Sequence, residues 1–182
     1  MASTLNRSLA DLGALLHLVD PTLPIGGFNH SNGLETFVQQ GVVSTKASLE
    51  EYVQTQLLQN WIYNDGAYLS LAFDAMAEND FERLCELEHS LSATKIARES
   101  REGSFKLGVR LLKIFIRYEP HPMLSQFQQA ILKKEVQGYF PIVFAMVAQA
   151  MGLTKADTLY AFYYNAAVGS ITNGVKLIPL SQ

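Results

Sequence analysis

The chain has 182 residues, 48% hydrophobic and only 17% charged, with 14 basic against 17 acidic side chains and a net charge of −3. That length suits one domain with a real core, and the lack of a basic block argues against nucleic acid as a partner. The lone cysteine, Cys85, excludes an intrachain disulfide framework, and the longest nearly apolar run (139–151) is too short to cross a bilayer.

The N-terminal residues lack a signal-peptide apolar stretch, so a cytoplasmic protein with no membrane partner is expected. In chain order, Leu12, Leu15, Leu16 and Val19 follow the spacing of an amphipathic helix that must stop at Asp20, before Pro21. A second helix is predicted from about Ser31, turning Leu34, Phe37 and Val38 inward and ending at Gly41. Ser48 and Glu51 suggest the capping box of a third, with Tyr52, Val53, Leu57 and Trp61 on its apolar side. A fourth is expected over 65–77. Asp80 can cap a fifth with a Leu84, Leu87, Leu91 seam.

The stretch 92–118 has no strong breaker, although Gly103 and Gly108 weaken it, and the Pro120–Pro122 region ends it. Further helices are predicted over 123–135, over 140–151 and from about 155 to 173. The second of these is apolar all round and therefore central. Gly152 closes it, and Thr154 with Asp157 caps the last. No alternating strand and no repeat appears. The fold class is all-α, a single-domain helical bundle over 1–182 of roughly eight to ten helices.

The most constrained stretch is 18–35. Pro21 and Pro24 fix two φ angles, Gly26 and Gly27 permit unusual ones, and Leu23, Ile25 and Phe28 require something to lie against. No Gly-Lys-Ser or Gly-Lys-Thr follows the glycine pair, so it is not a phosphate loop. His17, His30, His89 and His121 are scattered without ligand spacing, and only His30 falls in the special loop. Ala93, Ala97, Ser100, Ser104 and Gly108 form a small-residue stripe, and Arg98, Glu99, Arg101 and Glu102 beside it can pair locally. Asn165, Gly169 and Asn173 mark another such face. Lys176 stands among apolar residues as either a snorkelling or an interface lysine. Of Tyr160, Phe162, Tyr163 and Tyr164, part should pack inside and part can meet a partner. No nucleophile, base or metal set emerges, so no catalytic residue, metal ligand or cofactor site is assigned.

Four blocks then align with a known family: 23–35, Gly41-Val42-Val43, Arg98-Glu99-Ser100-Arg101, and 174–180. On these the chain resembles the urease accessory protein UreF family. The resemblance implies an all-helical homodimer without chemistry of its own. It would bridge a UreG-type GTPase and a UreD/UreH-type accessory protein in a nickel metallochaperone complex serving apo-urease. By position, Pro24, Gly26, Gly27, Phe28, Ser31, Gly33 and Glu35 match the N-terminal motif. Arg98, Glu99 and Arg101 match the central helix, and Gly174, Lys176 and Pro179 the C-terminal block. All are expected to serve shape and interface. An alternative makes Arg98 or Arg101 a finger that regulates the partner's GTP hydrolysis. The family is expected to continue past the last block, whereas this chain stops at Gln182 with Ser181 in place of a common glycine. A C-terminal tail that helps bind the second accessory protein is therefore expected to be missing. Gly138-Tyr139 also lacks a histidine often seen after that glycine, which argues against a metal role there.

Overall fold

The computed structural model describes residues 8–26 and 33–178. Nine α-helices and one π-helical segment, joined by turns and short loops, lie among the described residues, with no strand among them. They are α1 (Leu9–Val19), α2 (Leu34–Gln39), α3 (Lys46–Thr55), the π segment (Gln56–Trp61), α4 (Asp65–Ala77), α5 (Phe81–Thr94), α6 (Arg98–Phe115), α7 (Pro122–Leu132), α8 (Phe140–Ala150) and α9 (Lys155–Leu177). The all-α expectation holds.

Local chemistry explains most of the boundaries. Ser8 and Asp11 cap α1 reciprocally, and the helix ends at Asp20 in extended backbone, as Pro21 requires. Asp80 accepts from Arg83 N–H at the start of α5, and Thr154 from Asp157 N–H at the start of α9. Gly41 and Gly152 adopt left-handed φ of 73° and 79° after α2 and α8.

Five boundaries differ from expectation, one of them the end of α7, at Leu132 instead of Glu135. The capping box of α3 is Thr45 with Ser48, one turn earlier than Ser48 with Glu51. The predicted third helix gives way to the π segment, which carries Trp61 into the core at 4% exposure and leaves Leu58 outside. The stretch 92–118 is broken at 95–97, so Ala93 and Ala97 do not extend the small stripe of α6; it ends at Phe115, short of Pro120. The last helix continues to Leu177, past Asn173.

Helix α8 is the axle of the bundle. Eight of its residues are buried, and it packs against α4, α5, α6 and α9. Gly108 lets α6 approach, because a Cβ there would run into the Gly138 carbonyl, and Ser104 Oγ accepts from Phe140 N–H at 3.3 Å. The seam Leu84, Leu87, Leu91 is buried as read. A smaller core joins Leu34, Val43, Leu49, Tyr52, Val53 and Ile178. There Leu49 seats against Gly174, where a side chain would collide. On α1 the inward residues are Leu15 and Leu18, whereas Leu12 and Leu16 face outward, as does Phe37 on α2.

Candidate partner-docking surface

The loop after α1 is held at three points. Asn165 Nδ2 on α9 donates to the Leu18 carbonyl at 2.9 Å, fixing where the helix ends. Asp20 Oδ1 accepts from both the N–H and the hydroxyl of Thr22 at 2.7 Å, an Asx turn that also holds its carboxyl below the usual carboxylate range. Arg110 Nη1 on α6 reaches across to donate to the Ile25 carbonyl at 3.0 Å. Gly26 follows at φ 85°, and its missing side chain is what lets that guanidinium in. Leu23 and Ile25 pack on the main core while Pro24 stays exposed.

A second fixture is the corner between α5 and α6. Arg101 Nη1 donates to the Lys95 and Ile96 carbonyls at 2.8 and 2.6 Å, satisfying acceptors left open where α5 ends. Lys95 Nζ lies 2.6 Å from Asp65 Oδ1 at the start of α4, with both side chains less than one-fifth exposed. Arg98 is outside this framework: it pairs with Glu102 at 2.7 Å and is largely exposed. Loop and corner face each other across a cleft of ≈ 700 Å³, lined by Leu23, Ile25, Lys95, Glu99, Asn165 and Gly169 among others.

The residues expected at the interface thus separate into two groups. Glu99 lines the cleft, and Pro24 and Gly26 belong to the loop whose Leu23 and Ile25 line it. Gly33, Glu35, Gly174 and Lys176 lie where α2 packs on α9, beside the smaller core. Pro24, Gly33, Glu35, Arg98, Glu99 and Lys176 are exposed, whereas Arg101 is half-buried and Gly174 buried. Gly27, Phe28, His30, Ser31 and Pro179 lie outside the described residues.

The remaining chemistry-bearing groups have structural partners. His89 Nε2 bonds the Glu135 carbonyl at 2.9 Å, His121 Nδ1 accepts from Met123 N–H, and His17 packs on Phe115. Burial, with Glu88, Glu135 and Glu82 nearby, pushes the Cys85 thiol above its ordinary pKa, the wrong direction for a nucleophile. Among the described residues no three His, Cys, Asp or Glu side chains converge as a metal site, and no helix is long and apolar enough to cross a membrane. Phe162 is buried, while Tyr160 and Tyr164 stack at 6.1 Å on the outside.

Two features escaped the sequence reading. Glu88, 1% exposed, accepts from the backbone N–H groups of Gln137, Gly138 and Tyr139 at 3.1, 3.0 and 2.7 Å and so shapes the entry to α8. A carboxylate one position beyond Leu87 on an otherwise apolar seam was the available signal. Arg110 was the other, an arginine in the outward register of an amphipathic helix.

The UreF family model matches residues 43–182. A protein named urease accessory protein UreF from Haemophilus influenzae (strain PittEE) is 87% identical over all 182 residues, which span 77% of its length. The protein of that name from Actinobacillus pleuropneumoniae serotype 5b is 81% identical over 174 residues, 96% of this chain and 77% of the relative. The one from Bacillus sp. (strain TB-90) is 33% identical over 178 residues, 98% of this chain and again 77% of the relative. With matches of this extent, from near-identity to one-third identity, the chain belongs to the UreF family of urease accessory proteins.

Proposed function

We propose that the chain is a non-catalytic scaffold of urease maturation in the cytoplasm. As a homodimer it holds a UreG-type GTPase and a UreD/UreH-type accessory protein together so that nickel passes to apo-urease. The observation that supports this most directly is the exposed loop at 20–26, fastened by Asn165, its own Asx turn and Arg110. A surface segment already fixed in one shape loses little entropy on docking, which suits recognition. The test is urease activity and bound nickel in cells expressing urease and every accessory protein except this one. The chain, or a version extended to the length of its relatives, is then supplied. Restored activity and nickel support the scaffold. No rescue by folded protein in either form overturns it.

The second reading, regulation of the partner's GTP hydrolysis by an arginine finger, is favoured only at Arg98. The Arg101 guanidinium already serves two carbonyls, whereas Arg98 is exposed on the first turn of α6. Arg98→Ala should leave both assembly and GTP turnover within about twofold if the scaffold reading is right. A turnover loss above about tenfold with intact assembly would move the assignment to the finger.

A further inference from the structure

Between residues 103 and 118 the exposed positions are Lys106, Arg110, Lys113, Arg117 and Tyr118. Lys106, Arg110 and Lys113 recur at i, i+4 and i+7 along α6, a positive row about 10 Å long, and Arg117 follows in the turn after the helix ends at Phe115. The stretch contains no acid, and the ridge adds four positive charges to one edge of a chain whose net charge is −3. Glu102 bridges Arg98 and Lys106 at 2.7 and 3.4 Å, so neutralisation stops at the N-terminal end. Among the described residues, Lys113 and Arg117 join no ion pair.

Like charges one turn apart repel one another, although Lys113 lies in the last turn of α6, where the helix dipole favours a cation. We infer that the ridge Lys106–Arg110–Lys113–Arg117 is a docking surface for an acidic face of a protein partner, continuous with the loop at 20–26. This rests on the assembly reading above. The continuity is physical, since Arg110 belongs to the ridge and also holds the Ile25 carbonyl. A negative partner is drawn to the ridge by charge complementarity and registered by the loop. A nucleic acid fits less well: the chain's overall charge repels it, and the ridge has no row of aromatics for base stacking. A bilayer fits less well too, because no apolar strip runs beside the basic one for insertion.

The test reverses the two charges that join no ion pair among the described residues, Lys113→Glu with Arg117→Glu, and sets beside it the neutral pair Lys113→Gln with Arg117→Gln. Helicity and melting confirm folding. Each chain is titrated with the co-purified GTPase and with the second accessory protein at about 0.05 M and about 0.5 M salt. Expected are salt-sensitive binding of the wild type to at least one of them, a loss of about tenfold or more for the reversed pair at low salt, and an intermediate loss for the neutral pair. Equal binding of wild type and reversed pair at both salts overturns the ridge and leaves the scaffold standing. The proposal also falls if the ridge variants change only the retention of duplex DNA or phosphatidylserine vesicles, in favour of another polyanion. Failure of the wild type to bind either protein removes the assembly reading and the ridge with it.

Discussion

Replacing Glu88 by alanine removes the acceptor for three backbone donors. Gln137 is exposed, so water can take over its N–H, but Gly138 and Tyr139 are buried. Two orphaned buried donors at about 1–2 kcal/mol each give a loss of about 2–4 kcal/mol. For a chain of this size that lowers Tm by about 4–16 °C. Glu88→Gln should lose less, about 1–2 kcal/mol, because its amide oxygen still accepts while its NH2 opposes one donor. The pH dependence separates the two effects. Burial pushes the Glu88 carboxyl above its ordinary pKa, against the pull of the three N–H bonds and of His89. The folded chain therefore holds this proton where the unfolded chain has released it. The associated stability is full below the ordinary glutamate value and is lost as pH rises through the raised one. Wild type should exceed Glu88→Gln by most at acidic pH, with the margin narrowing through that window. Thermal and urea unfolding across pH measure both quantities. An unchanged Tm for Glu88→Ala, or a pH-independent margin for Glu88→Gln, would refute the reasoning.

Gly108→Ala sets a methyl group against the Gly138 carbonyl, so despite the better helix former it should destabilise by about 1–3 kcal/mol in urea unfolding. Gly26→Val strains a residue at φ 85° and displaces the Arg110 guanidinium; helicity by circular dichroism should stay near wild type while co-purification with accessory proteins is lost. Unaltered co-purification would remove the loop from the interface. Arg110→Ala should speed amide hydrogen exchange around 22–26 with little change in global unfolding, since the guanidinium serves the loop from an exposed site.

What the sequence disclosed was chiefly what neighbouring residues decide. The Asp80 and Thr154 caps, the stop at Asp20, the Leu84–Leu87–Leu91 seam and the central position of α8 follow from side chains within a few residues or from plain periodicity. The break at 95–97 did not, because it is maintained by Arg101 from the next helix and by Asp65 from α4, thirty residues upstream. Thr45 and Ser48 could each cap a helix, and only the realised one reveals which competitor prevailed. Glu88 was invisible as an anchor because its three donors lie about fifty residues downstream. The basic ridge forms no block in the sequence, because its charges stand three or four residues apart and meet only once α6 is wound. The family motif pointed to the loop but not to Arg110, which lies 85 residues beyond the carbonyl it holds.

The central position of α8 bears on how the chain comes off the ribosome. Helices α4, α5 and α6 turn their apolar faces toward an axle that begins only at Phe140. Helix α5 finds its main neighbour in α4, but at roughly 5–20 residues per second the apolar faces of α4 and α6 wait for seconds until α8 follows. Until α8 emerges, the nascent chain resembles a client for general folding helpers more than a folding domain.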